Sequence, residues 1–372
     1  MTHAFLSRSE SLHRSCVAGA ALCFLVFLDS AFAPCQAENS PSGSVAAVTA
    51  TPEGCSKQVA TAEPTTDGLV AALNQRGLAY ANRGELGCAL QEFDRALQLK
   101  PGLSALLDNR GMVHEELGDI DHAIEDFREA TRLDPGNAVA FNNLGSAYLK
   151  KNDLDRAIEN FDQALALRPH YAEAYNNRSG VYVNKGDLTD AIRDCKEAVR
   201  LKPSYAEARY NCALVRMQLG DPDEAIAEFD YVIQLKPEFA DAYNSRGAAF
   251  HVKGMHERAI PDFDEAIHLK PGFFMAYYNR ALALQDIGER DRAIGDFSMA
   301  ILLKPACSPA FNKRGNLFVE KGQFDRAIQD FDEAIRLRPD YADALHNRAL
   351  AVQQKREHEQ AAADSVRTAS LP

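Results

Sequence analysis

Small and apolar residues recur along the chain at one fixed period. Proline stands at 101, 135, 169, 203, 237, 271, 305 and 339, a spacing of 34 with no insertion or deletion. With that proline as position 32 of each unit, position 20 is alanine every time, from Ala89 to Ala327. Position 24 is phenylalanine (Phe93, Phe127, Phe161, Phe229, Phe263, Phe297, Phe331) except at Cys195. Position 8 holds only Gly, Ala or Ser, and position 15 is glycine except at Asn152. Small residues facing one another, a residue at position 15 that tolerates a left-handed helix end and a closing proline predict two antiparallel helices per unit, at positions 1–14 and 17–30. A unit this short cannot bury its apolar face alone, so its copies must stack. The expected class is all-α: a solenoid of eight 34-residue helix-turn-helix repeats plus a degraded ninth capping repeat.

In these fixed points the chain resembles the tetratricopeptide repeat family over roughly residues 68–354. It departs at position 4, where bulky residues vary (Leu73, Leu107, Phe141, Tyr175) and Trp never occurs. The resemblance implies a right-handed α-solenoid whose first helices line a concave wall, and a role in binding other proteins.

The ends read differently. Arg8 and Arg14 precede an apolar run from Val17 to Leu28, which is too short to span a bilayer and fits a secretory signal over residues 1–37, cut after Ala37, with an uncleaved anchor as the alternative. Residues 38–65, rich in Ser, Pro, Thr, Ala and Gly, read as a disordered linker, with Thr66 or Asp67 as the first N-cap. The solenoid is expected over 66–355, and 356–372 as a capping helix with a frayed tail. A periplasmic or secreted protein is the expectation, with no membrane span once the signal is removed.

Two positional patterns carry chemistry. Position 7 is arginine in six full repeats (Arg76, Arg110, Arg178, Arg246, Arg280, Arg314), each with an acid at position 23, which predicts a salt bridge between the two helices of a repeat. At about 100° per residue, positions 2, 5, 6, 9, 12 and 13 of the first helix share the face turned away from the packed one. Position 6 there supplies Asn109, Asn143, Asn177, Asn211, Asn279 and Asn347. An amide offers both a donor and an acceptor, the complement of a peptide unit. The row resembles the asparagine ladder of O-linked N-acetylglucosamine transferases, and asparagine there also suits hydrogen bonding between helices. Nine acids, among them Glu173, Glu207 and Asp241, face one base, Lys150, on the remaining positions of that wall. The peptide-binding set is therefore the six asparagines with Glu173, Glu207 and Asp241, and the expected partner is an extended, neutral or basic protein segment. An accessory scaffold that positions cell-envelope or glycan-modifying enzymes through its convex face is the alternative.

The net charge of −12 and the lack of a basic stripe argue against nucleic acid. No phosphate-binding loop occurs, and the histidines lack the i, i+4 spacing that sets two metal ligands on one helical face. No catalytic residue, cofactor or metal is assigned. Cys195 and Cys212 fall on neighbouring helices, either as a disulfide or, the simpler expectation, as two small buried hydrophobes. Pro222 suits the first position of its helix, whereas Pro261 lies five positions deeper and predicts a kink or a late start.

Overall fold

A computed structural model describes residues 65–369, so the 1–37 signal and all but the last residue of the 38–65 linker lie outside the described residues. The described chain is all-helical: α1 (Thr66–Ala81), α2 (Leu86–Leu99), α3 (Ser104–Glu116), α4 (Ile120–Leu133), α5 (Ala138–Lys150), α6 (Leu154–Leu167), α7 (Ala172–Lys185), α8 (Leu188–Leu201), α9 (Ala206–Leu219), α10 (Pro222–Leu235), α11 (Ala240–Val252), α12 (His256–Leu269), α13 (Phe274–Asp286), α14 (Arg290–Leu303), α15 (Ser308–Glu320), α16 (Phe324–Leu337) and α17 (Ala342–Ala369). Odd-numbered helices are the first of each repeat and even-numbered ones the second. Two compact units divide the described residues at Val215 and Arg216. In each, consecutive repeats pack against one another in chain order.

The core of a repeat is one contact. The position-24 phenylalanine is fully buried and lies against the position-8 glycine so closely that a Cβ on Gly111 would fall 2.7 Å from the Phe127 ring. That approach is why position 8 stays small. Alanines of the second helix complete the seam, Ala123, Ala157, Ala164 and Ala191 all being fully buried.

Turn chemistry sets the two reversals. Each position-15 glycine has positive φ, as Gly118 does at 80°, and Asn152 takes the same conformation at 60°. Beyond that residue the chain closes onto the helix just finished, Asp119 N donating to His114 O at 2.8 Å. At the other end the residue before each proline is extended, as Lys202 is at φ −136° and ψ 83°, because proline excludes the helical region for its predecessor.

Four expectations need correction. Thr65 caps α1, accepting from Gly68 N at 3.2 Å, one residue before the expected start. α12 begins at His256 and keeps 14 residues with Pro261 inside it, so the late start does not occur. The ninth repeat is one helix of 28 residues and not a helix pair, because Arg356 stands where the turn glycine would be. Cys195 and Cys212 are joined as a disulfide with Cα atoms 5.4 Å apart, within the range such a bond requires.

Candidate functional site

The expected intra-repeat salt bridges are present. Arg110 Nη2 lies 2.6 Å from Asp126, Arg246 Nη2 2.6 Å from Asp262, and Arg280 Nε 2.6 Å from Asp296. The acids are buried while the guanidiniums keep partial exposure. Hydrogen bonding to Asp126, opposed by burial, raises the Arg110 pKa further.

Four of the arginines, Arg110, Arg178, Arg246 and Arg280, also reach back to an acid, while Arg314 meets Ser298 Oγ in the same place. The Nη1 of Arg110 meets Asp94 at 2.6 Å, that of Arg178 meets Asp162 at 2.5 Å, and that of Arg246 meets Asp230 at 2.6 Å. These second acids occupy position 25 of the preceding repeat. The guanidinium is therefore a clamp across three helices, which its planar fork of donors suits. Where position 7 is Leu144 or Cys212, the preceding position 25 is Arg128 or Lys196, so the acid is absent wherever the arginine is. The Cys195–Cys212 disulfide spans one of the two joints that lack a clamp.

The asparagine row is ordered by the same neighbour-to-neighbour logic. The Nδ2 of Asn109 donates to Oδ1 of Asn74 at 2.9 Å, Asn143 to Asp108 at 3.0 Å, Asn177 to Asn142 at 3.1 Å and Asn211 to Asn176 at 2.8 Å. In residues 216–369, Asn279 donates to Asn244 at 3.0 Å and Asn347 to Asn312 at 3.1 Å. Every acceptor sits at position 5 of the preceding repeat. One of the two amide hydrogens of each rung is thus engaged between repeats. Asn143 is buried, whereas the other five rungs are partly exposed.

The acidic wall is less charged than its sequence count. Asp108 and Glu115 are buried. Lys150 reaches Glu115 at 3.0 Å, Lys202 reaches Glu173 at 3.0 Å and Arg290 reaches Glu320 at 2.6 Å. Lys202 and Arg290 lie outside the first helices, which is why a count restricted to those helices misses them. Glu173, Glu207 and Asp241 are half-buried and stand in the first turns of α7, α9 and α11, where carboxylates also complement the positive helix end. Burial pushes the Asp108 carboxyl up to about 6, the Asn143 bond lowers it, and the Glu115 charge adds to the rise.

Among the described residues no helix is long and apolar enough to cross a membrane. Two family models match the chain. One described as "Tetratricopeptide repeat" covers residues 142–206 and 210–272, and one described as "TPR repeat" covers 111–152 and 315–355. No curated protein matches the chain. Among solved structures, the Cut9–Hcn1 hetero-tetramer of the APC/C is similar with a TM-score of 0.57 at 18% identity over 71% of this chain. The match takes in 52% of the Cut9–Hcn1 chain, so this protein spans about half its length. A tetratricopeptide repeat protein from Parabacteroides merdae gives a TM-score of 0.52 at 21% identity, over 63% of this chain and 93% of its own. YrrB, a repeat protein with an unusual peptide-binding site, gives 0.42 at 25% identity over 49% of this chain and 94% of its own. With its repeats, helix pairs and family matches in agreement, this chain belongs to the tetratricopeptide repeat family.

Proposed function

We propose that this protein is a non-catalytic adaptor that holds an extended segment of another protein along its first-helix face. Support comes from the family, whose stacked helix pairs serve as interaction modules. The observation that carries the finer reading is the inter-repeat bonding of the asparagines. Each bond fixes the orientation of an amide before any ligand arrives, which lowers the ordering cost of binding. A rung's second N–H and its carbonyl lone pairs suit a peptide backbone, at about 0.5–1.5 kcal/mol net per hydrogen bond. Glu173, Glu207 and Asp241 favour a neutral or basic segment over an acidic one. The Cys195–Cys212 bond suits an oxidising compartment, in keeping with an exported protein.

The test is a peptide array of unstructured basic, neutral and acidic segments, read by fluorescence anisotropy against the full chain and against Asn143→Ala/Asn177→Ala/Asn211→Ala. Basic and neutral segments should bind the parent, and the triple variant should lose them while keeping its helical circular dichroism. Undiminished binding by that folded variant rejects the ladder and moves the contact to the second-helix side.

A further inference from the structure

His251, His256 and Asp286 converge where the two helices of repeat six reverse direction and the first helix of repeat seven ends. His251 lies in the last turn of α11, His256 opens α12 and Asp286 closes α13. Gly254, at φ 71°, makes the reversal that turns two histidines five residues apart toward each other. Their Nδ1 atoms are 3.0 Å apart. The Oδ2 of Asp286 lies 3.7 Å from His256 Nδ1 and 3.7 Å from His251 Nε2. One ligand atom from each residue falls within 4.8 Å of the other two.

Bonds of about 2.0–2.1 Å to imidazole nitrogen and about 2.0–2.2 Å to carboxylate oxygen, at tetrahedral angles, hold ligand atoms about 3.4 Å apart. His256 Nδ1 and Asp286 Oδ2, 3.7 Å apart, come near that separation, and His251 turns Nδ1 toward the first and Nε2 toward the second, so a small rotation of its ring brings one nitrogen onto both. We propose that His251, His256 and Asp286 form a binding site for Zn²⁺ or a similar first-row divalent ion, with water in the fourth position. Two imidazoles select against Mg²⁺ and Ca²⁺, which take oxygen ligands. Because Asp286 belongs to a different repeat from the two histidines, the bound ion braces repeat seven to both helices of repeat six.

The trio His114, Asp119 and His122 in repeat two is a natural contrast. There His122 Nδ1 already pairs with Asp119 at 2.7 Å, the same carboxylate caps α4, and the His122 side chain is 63% exposed. All three residues belong to one repeat, so an ion there would link α3 to α4 without joining one repeat to the next.

The experiment uses the full chain, stripped with chelator. ZnCl₂ is titrated in by calorimetry, and Co²⁺ is followed by visible absorption. The parent should bind Zn²⁺, develop the intense Co²⁺ band of a tetrahedral site and melt higher with Zn²⁺ than without. His256→Ala and Asp286→Asn should each weaken binding by more than about 10-fold, the loss that even changes behind the ligands produce, and should abolish the Co²⁺ band. His122→Ala should change neither. Circular dichroism in chelator checks that each variant folds, and Asp286→Asn, the least buried change, carries the test if His256→Ala does not. No binding by the parent, an unchanged isotherm in the folded variants, or a loss confined to His122→Ala overturns the proposal.

Discussion

Asn143 donates from Nδ2 to Oδ1 of Asp108 at 3.0 Å, and that bond joins the first helix of repeat three to the first helix of repeat two. Its acceptor is unusual in one respect. The equivalent residue is Asn74, Asn142, Asn176, Asn244 or Asn312 in other repeats, all neutral, whereas Asp108 brings a carboxylate into the same buried setting beside Glu115.

That charge has a pH signature. The folded carboxyl titrates at about 6 and an unfolded aspartate near about 3.9. Between those values the native chain binds the proton more tightly, so stability falls as pH rises through the window and the cost stays constant above it. Asp108→Asn keeps an acceptor for Asn143 and removes the charge. It should stabilise by about 1–3 kcal/mol at neutral pH, with the gain vanishing by about pH 4. Urea midpoints of both proteins across that range are the measurement, and a gain independent of pH would exclude the charge as its cause.

Arg246 is held by Asp262, which is buried, and by the half-exposed Asp230. Arg246→Met should cost about 3–5 kcal/mol, because it leaves the Asp262 carboxylate buried without its cation. Lysine should rescue little of this, since one ammonium cannot reproduce the fork. Asp230→Asn should cost under about 1 kcal/mol, as exposed pairs do. Chemical denaturation of the three variants gives the order; equal losses would deny the difference in burial its role.

Two glycines of α5 and α7 should respond with opposite sign. A Cβ on Gly145 would lie 2.9 Å from the Phe161 ring, while one on Gly180 meets nothing within 4 Å. Gly145→Ala should destabilise by about 1–3 kcal/mol, at the low end since Ala213 and Ala281 stand at the same position in their own repeats. Gly180→Ala should stabilise by about 0.5–1 kcal/mol through helix propensity. Melting temperatures that move in the same direction would contradict this reading.

The disulfide closes a loop with a sequence separation of 17. Such a loop constrains the unfolded chain by about 3 kcal/mol in the entropic account. Thermal unfolding with and without reductant, in the parent and in Cys195→Ala/Cys212→Ala, isolates this pair from the other cysteines. The double variant should melt lower than the oxidised parent and should show a smaller drop on reduction.

The repeat frame was legible because its constraints are steric and local: a glycine under a phenylalanine, a left-handed residue at the turn, a proline after an extended residue. Asn152 could be placed among the turn glycines from its identity alone. The within-repeat salt bridges were legible for a similar reason, since every position-7 arginine has an acid at position 23, although Glu228 keeps its acid opposite Cys212. Contacts between repeats were harder to read. The second acid of Arg110, Arg178, Arg246 and Arg280 was visible only once position 25 of the preceding repeat was set beside position 7. The acceptor of each ladder asparagine required the helix-to-helix register. His251 and His256 fail the i, i+4 test for metal ligands because a turn, and not a helical face, brings them together. Arg356 was read as part of a separate cap, although the missing glycine already meant that the helix would run on.

The joint between repeats two and three, where Leu144 and Arg128 replace the usual arginine and aspartate, has neither the arginine clamp nor a disulfide among the described residues, and lysine pairs cross it instead, Lys150 with Glu115 and Lys151 with Asp121. Elsewhere in residues 65–215 each seam is bolted by one or the other. An ammonium holds direction less firmly than a guanidinium fork, so this seam should be more yielding than its clamped neighbours. Amides flanking that joint should exchange with solvent sooner than those on either side, and equal exchange would mean that lysine pairs fasten a seam as well as the arginine fork does.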